Sequence, residues 1–516
     1  LFPLIEKNTQ SSIIKNMKKC TFIFAFIFIL GSGCSLSLVG SYTSGDAPPD
    51  ESDESSQDFH LDSIDDGTVQ DLPAGDEAWE PFSEAADETG EPSGEDYADA
   101  PEVQEEIVEE VPSCDPSDCP LGCNTALDRC YYIDPSNFDP YSFHDDVTSG
   151  ATASSGETIT VNTDDGSITG ATIYRPSGYP GEARNGIYWN IFPQTAGPDI
   201  AVFGMASLTL SAGSAMEITG GHPAAFYVSG DVEIAGIMRA RALRSSPGSG
   251  GCAGGLSNGA NGAPCGVDSN GKGGGQAGSG GNQIEAGGGG GGAGGQGGNG
   301  ADVSYSSYRA SGGAGGQPIG HPELVPLSGG CGGGAGGGPD TYGNSGAGGN
   351  GGYGGGGGGA VQISAGGSIT IRPGGGIDVA GAGGQGGLYG AGGGGGGSGG
   401  SILLEAVSIY NDGLLAANGG GGGAGGAHTE YPEAQAGWDG GFDTLQAPGG
   451  VGQSYGGNGG AGGGGAVANG VSAPASLNGG GGGGAVGRIR INYQDTVVAG
   501  ITSPTSASVN HGVGLW

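Results

Sequence analysis

The stretch GGGGGGAVQISAGGSITIRPGGGIDVAG, residues 354–381, decides the reading of this chain. Six consecutive glycines run into Ala360-Val361-Gln362-Ile363, where apolar and polar side chains alternate as in a strand with one buried face. Gly366-Gly367 interrupts the run, Ile369-Thr370-Ile371 resumes it, Gly374 marks a turn, and a third short strand reaches Val379 before the next glycine tract. The same order recurs. Aligned on their apolar residues, Phe226-Tyr227-Val228 to Ile237, Val361-Gln362-Ile363 to Val379 and Ile402-Leu403-Leu404 to Leu415 share it, with second strands near Val232, Ile369 and Ile409. Earlier strand signals stand at Thr158–Val161, Ile173, Ser207–Leu210 and Met216–Ile218, with turn glycines at Gly213, Gly220, Gly230 and Gly236. Short strands with turns this frequent predict an all-β chain, a β-solenoid or β-helix-like coil over residues 135–516. A β-sandwich is the competing all-β fold, and it wants hairpins and more aromatic core residues than these segments carry.

Three long loops leave this coil, at roughly 244–359, 381–400 and 418–484, each after the third strand of a turn. Each ends just before Ala360-Val361, Ser401-Ile402 or Ala485-Val486. Equal phase places all three on one side. Runs such as Gly354–Gly359, Gly392–Gly397 and Gly479–Gly484 present no Cβ, so backbones can approach closely. Threefold extended helices bond nothing within themselves. Packed side by side they can satisfy one another, which predicts a polyglycine-II-like layer. The competing reading is a disordered glycine mass.

Composition fits this division. Of 516 residues 126 are glycine and only 35% are hydrophobic, too few for an ordinary core throughout. A sustained Gly-X-Y register is missing, which excludes collagen. The net charge of −39 is concentrated: residues 46–112 carry 25 Asp and Glu and no Lys or Arg. No nucleic acid is expected as a partner, because phosphate binding needs clustered Lys and Arg. A segment so rich in like charge extends and does not bury apolar surface. It reads as a disordered tether, with a divalent-cation reservoir as the functional alternative.

Met17-Lys18-Lys19 followed by Thr21–Leu30 has the layout of a signal peptide. Residues 1–16 read as an extension upstream of that start, since the chain opens on Leu1. Leu30-Gly31-Ser32-Gly33-Cys34 resembles a bacterial lipobox, whose cysteine takes the lipid, although Gly31 stands where such boxes prefer Leu. Residues 17–33 are then a lipoprotein signal peptide, Cys34 the lipidation site, and 34–112 the acidic tether. Ser35 after the cysteine favours the outer membrane under this resemblance, with the acyl chains as anchor. Plain secretion is the alternative.

Cys114, Cys119, Cys123 and Cys130 form a Cys-x4-Cys-x3-Cys-x6-Cys cluster within a module at 113–134. In an exported chain this reads as two disulfides stapling a small knot, with three pairings open. Zinc fits less well, because paired Cys-x2-Cys knuckles are missing. Cys252 and Cys265 flank a Gly/Asn loop and can close it, leaving Cys331; a different pairing within this trio stays open, and one bridge among the three is expected.

The blocks Met205–Leu210, Phe226–Gly236, Gly359–Ala365, Gly400–Ala406 and Gly487–Ile491, with the cysteine module running into Pro135-Ser136-Asn137, resemble glycine-rich lipoproteins of myxobacteria and related predatory or social bacteria. That family has no established activity, so the resemblance implies no site residues.

Few motifs carry chemistry. Gly266–Lys272 fits Gly-x4-Gly-Lys, but Gly273 stands where a phosphate loop needs Ser or Thr. Gly297–Asp302 opens like a calcium nonapeptide but is a single copy. The histidines are dispersed and no ordered nucleophile motif stands out. Arg239 and Arg241 alternate on one strand and so face one way, a place for an anionic sugar, and Arg488 and Arg490 repeat the pattern. The island His428–Asp443 sets Tyr431, Trp438 and Phe442 beside carboxylates, either to grip a glycan or to cap the glycine layer. Arg239, Arg241, Tyr431, Trp438 and Phe442 are therefore the candidate glycan contacts. No cofactor and no metal is expected. The expectation for function is a non-enzymatic cell-surface lipoprotein, structural or adhesive, held to the outer membrane by its lipid and meeting a surface glycan or another surface protein. The alternative is a glycan-binding or polysaccharide lyase-like β-helix protein.

Overall fold

The computed structural model describes residues 132–515 apart from 257–258, 267–270, 282–283, 306–307, 339–350 and 428–432, together with the backbone of Cys123–Asn124 and Arg129–Cys130. The signal peptide, Cys34, the acidic tether, Cys114, Cys119 and Tyr431 lie outside the described residues. In the cysteine module Cys123 stands directly opposite Cys130 in an antiparallel pair, and its disulfide pairing also lies outside them.

The described chain is all-β, and its one helical element is the 3-10 turn His144–Asp146. Two large sheets are built from successive parallel passes. Strands Ile200–Met205, Ala224–Val228, Ala360–Ile371, Ser401–Asn411 and Arg488–Val498 follow one another in the first sheet. Ala215–Thr219, Ile237–Arg239, Gly376–Asp378, Leu414–Ala416 and Ile501–Ser503 follow in the second. Every pairing between these passes is parallel, with one-residue register shifts between Ala365 and Ser368 and between Ala406 and Ser408, and on either side of those shifts chemically like residues stack. Phe203, Phe226, Ile363, Leu404 and Ile491 form one row, and Met216, Met238, Ile377 and Leu415 another. Both rows are buried in a single apolar core.

Two expectations need correction. Phe226 pairs with Ile363, not Val361, whose partner is Ala224. A slip of two residues keeps every side chain on its own face, so alternation alone does not detect it. The second-strand positions Val232, Ile369 and Ile409 do fall in register. Ala485-Val486 also does not open the last pass. Its strand starts at Arg488, level with Ser401, and Ala485 still donates to the Gly291 carbonyl of a glycine tract.

The glycine tracts leave and return at equivalent places. Gly359, Gly400 and Gly487, each one residue before its strand, donate to Ala240, Val379 and Ala417, each one residue after the preceding strand. Between those points the tracts bond to one another. Residues 392, 395 and 398 donate to Gly337, Gly334 and Cys331; 393, 396 and 399 to Gly479, Gly482 and Ala485; 394, 397 and 400 to Gln385, Ala382 and Val379. Carbonyls of the same tract accept from Gly288 and Gly291, from Gly352, Gly355 and Gly358, and from Gly420 and Gly423. Every third residue thus meets the same neighbour, and six tracts enclose one. The tract 479–487 is enclosed likewise, donating toward Glu285–Gly291, Ala417–Gly423 and Ala468–Val471 and accepting from tracts at 298–301, 393–399 and 457–463. All the buried amides of these donors are satisfied without a sheet.

Enclosure explains the glycine runs. A Cβ on any of Gly392 to Gly397 would collide with a backbone carbonyl oxygen. At the bundle's outside the rule relaxes in phase. In Glu433-Ala434-Gln435-Ala436-Gly437-Trp438-Asp439-Gly440, residues 434, 437 and 440 donate inward to Gly387, Gly384 and Gly381, while Gln435, Ala436 and Trp438 are exposed. Leu445, Pro448 and Val451 are exposed at the same interval of three, with Ala447 and Gly450 buried between them.

Candidate functional site

The densest polar cluster among the candidates forms on the outer face of the second sheet. Because Met216, Met238, Ile377 and Leu415 point into the core, the residues after them, Glu217, Arg239, Asp378 and Ala416, share the opposite face in one row. Arg239 Nη1 lies 2.7 Å from Glu217 Oε1. Two residues on, Arg241 reaches Asp378 Oδ2 at 3.6 Å with Nη1 and Asp439 Oδ2 at 3.4 Å with Nη2.

Asp439 arrives from the edge tract of the glycine bundle. Its Oδ1 accepts from the Gly383 amide at 2.9 Å, and Gly440 donates to Gly381 at 2.9 Å. Asn418 then holds the chain beyond it, donating through Nδ2 to the carbonyls of Gly441 and Asp443, both at 2.8 Å. This path lays Phe442 over Gly376, where a Cβ would meet its Cζ at 2.7 Å. Phe442 therefore lies against a sheet strand. Trp438 leaves the bundle 60% exposed.

Asp378 is fully buried. Burial pushes its carboxyl up to about 6, opposed first by Arg241, then by the Ala380 amide and Arg239, and reinforced by Glu217. Its Oδ1 accepts from Ala380 at 3.1 Å, whereas Oδ2 and the Nε of Arg241 have no hydrogen-bond partner. An acid sealed from solvent does not touch a substrate, so the reachable groups are Glu217, Arg239, Arg241, Asp439 and Trp438. Both arginines are already paired, two cations against three carboxylates. The face thus has no free cation for an anionic sugar, and its remaining capacity is for hydroxyl groups beside an aromatic ring. Sequence reasoning missed Glu217 and Asp378. The signal for Asp378 was present, a lone acid between Ile377 and Val379 in an otherwise apolar strand.

The other candidates have internal partners. Arg488 donates to the carbonyls of Ile319 (3.1 Å) and Ala293 (3.4 Å), and burial lowers its pKa; Arg490 donates to Asn492 at 2.8 Å. Asp302 accepts from the Gly312 amide at 2.8 Å. Cys252 and Cys265 form the expected disulfide, with Cα atoms 5.6 Å apart, and Cys331 is buried with its Sγ 3.0 Å from the Cys265 amide nitrogen.

A second cluster was not anticipated. Glu405, 1% exposed, accepts from the Ser136 amide (3.3 Å) and hydroxyl, Gln362 Nε2 (2.8 Å), the Ser364 hydroxyl (2.8 Å) and Asn492 Nδ2 (3.2 Å). Asn137 adds bonds to Gln362 Oε1 and the Leu324 carbonyl, both at 3.0 Å. A buried carboxylate with this many donors is satisfied without a cation. Its role is to clamp Ser136-Asn137, where the chain enters the β core. Among the described residues no three His, Cys, Asp or Glu side chains gather as a metal site. The chain matches no family model, no curated protein and no solved structure.

Proposed function

We propose that this is a non-enzymatic surface lipoprotein with a structural or adhesive role, whose described part is a β-solenoid carrying a polyglycine-II-like bundle along one edge. The in-register parallel passes and the equivalent exits at Ala240, Val379 and Ala417 support the solenoid reading. The observation that carries the functional reading is the pair of fully enclosed tracts at 391–400 and 479–487. A chain that spends this much length on a lattice without side chains builds a stiff, uncharged slab, and a reactive cavity is not what such a lattice makes. Lipid on Cys34 and the acidic segment 46–112 would hold that slab away from the outer membrane. Palmitate labelling of the wild type, lost in Cys34→Ser and accompanied by protease accessibility of the slab on intact cells, is the expected result. Labelling that persists in Cys34→Ser would end the lipoprotein reading.

A second reading, glycan binding or polysaccharide lyase-like activity, is favoured by one observation: exposed Trp438 adjoins Asp439, itself paired with Arg241. A glycan array separates the two. Binding weakened at least about tenfold in both Trp438→Ala and Asp439→Ala, a change worth about 1.4 kcal/mol, supports a glycan site there. Turnover of polyuronates or cell-wall polymers that is lost in Arg239→Ala or Asp439→Ala overturns the non-enzymatic view.

A further inference from the structure

Three cysteines meet at one place in the glycine bundle. The tract Gly330-Cys331-Gly332 bonds to both arms of the loop that the Cys252–Cys265 bridge closes. Cys252 donates its amide to the Gly330 carbonyl at 3.1 Å, and Gly332 donates to the Ala263 carbonyl at 3.1 Å. Where the enclosed tracts pair amide with carbonyl, the Cys265 amide instead meets the Cys331 sulfur, 3.0 Å away. The same sulfur stands 3.9 Å from the Cys265 carbonyl oxygen. Cys331 thus touches the residue that carries a bridged sulfur. Cys265, Cys331 and Ile319 form one buried cluster, with Cys252 packed against it.

Exposure divides the three. Cys331 is fully buried and Cys265 is 3% exposed, whereas Cys252 is partly open to solvent. A Cβ on Gly273 would meet the Cys331 sulfur at 2.6 Å. Ser398 holds the Cys331 backbone, its hydroxyl accepting from the amide at 2.8 Å and its own amide donating to the carbonyl at 3.0 Å. The Cys331 thiol is therefore sealed from reagents, yet it adjoins a disulfide.

We propose that Cys252 is a masked thiol-modification site, unmasked by exchange within this trio and then open to soluble disulfides and soft electrophiles. The Cys331 thiolate attacks the Cys265 sulfur. A Cys265–Cys331 bond forms, the Cys252–Cys265 bond breaks, and its electron pair leaves on Cys252, which takes up the proton that Cys331 gave to water. One disulfide and one thiol stand on each side of the step, so no oxidant or reductant is consumed. The thiolate is the attacking form, and the Cys265 N–H directed at the sulfur favours it. Burial sets which sulfur is attacked. Attack on Cys265 keeps both bonded sulfurs inside the cluster and delivers the new thiol to the residue that solvent reaches.

Iodoacetamide tests this on the folded full chain without reductant, followed by digestion at acid pH, where bridges do not reshuffle, and peptide mapping. Alkylation is irreversible and draws the exchange forward. The expected result is label on Cys252 together with a Cys265–Cys331 bridge. Cys331→Ser should keep the Cys252–Cys265 bridge and lose the label at Cys252. Cys252→Ser, refolded in a mixture of reduced and oxidised glutathione, should hold a Cys265–Cys331 bridge, and it carries the test where Cys331→Ser does not fold. Label on Cys331 with the Cys252–Cys265 bridge intact, or no label on any of the three, would overturn the proposal. So would label on Cys252 that survives in Cys331→Ser, or a folded Cys252→Ser chain that leaves Cys265 and Cys331 as thiols.

Discussion

The β stack and the glycine bundle solve the same problem, satisfying a buried backbone, by opposite means. In the stack each strand bonds to two neighbours, and side chains such as Leu404 and Ile377 fill the space between the sheets. In the bundle an enclosed tract bonds to six neighbours in three directions, and its side chains are gone. The first arrangement derives its stability from apolar burial and tolerates some change of volume. The second derives it from backbone hydrogen bonds at full density and has no volume to give. Tolerance of substitution is the property on which the two regions should differ most.

The largest effect is expected inside the bundle. Gly395→Ala places a methyl group against the Gly289 carbonyl, whose tract is itself fixed on several sides, so the lattice must part. Loss of the folded state, or the steepest fall in melting temperature of any single methyl addition, is the expected outcome in a thermal scan. Gly156→Ala is the control. Nothing lies within 4 Å of its Cβ, and its φ of +78° costs only about 1 kcal/mol. Equal effects of the two would break the comparison.

Next comes the stack. Leu404→Ala opens a cavity in a row that surrounding side chains cannot fully close, at a cost of about 2–5 kcal/mol by chemical denaturation. A loss below the cost of Gly395→Ala sharpens the contrast, and a larger one reverses it.

Asp378 tests the join between the two regions through pH. Its folded pKa of about 6 is above the ordinary 3.8, so the folded state holds the proton more tightly than the unfolded chain. Its stabilising contribution is complete below about pH 4 and is lost as pH rises through 6. Asp378→Asn is expected to flatten that fall and to gain on the order of 1–3 kcal/mol at pH 7, read from melting temperatures across pH 4–7. Glu157 works the other way and at lower pH. Hydrogen bonds from Thr172, then Ser154 and Ala171, hold it near 2, so its contribution is lost as pH falls from 4.5 through 2. An unchanged profile in Asp378→Asn would mean the carboxyl is not sealed. The smallest effect is expected at the bundle's surface, where Trp438→Ala should shift stability by no more than about 0.5 kcal/mol in the same assay.

Much of the architecture was legible. Alternation at Ile369–Ile371 and Leu208–Leu210 marked one buried face, and the recurrence of Val232, Ile369 and Ile409 marked the repeat that the register bears out. The offset of Phe226 was not legible, because a two-residue slip is silent in a pattern of period two. At the site, a common face for Arg239 and Arg241 followed from strand spacing. Their partners did not, since Glu217 is 22 residues away on another pass and Asp439 198 residues away on a glycine tract. The Glu405 clamp was hidden for the same reason, with Ser136 at a separation of 269.

By itself the sequence determined where side chains are forbidden. Unbroken runs such as Gly392–Gly397 announce backbone contact on every side, and phased residues such as Leu445, Pro448 and Val451 announce a side left open. Which tract lies against which was decided only in three dimensions. Every glycine offers the same amide and the same carbonyl, so no residue within a run can name its neighbour. That choice falls to the register of the β passes, whose side chains differ and which fix the points where each tract begins and ends.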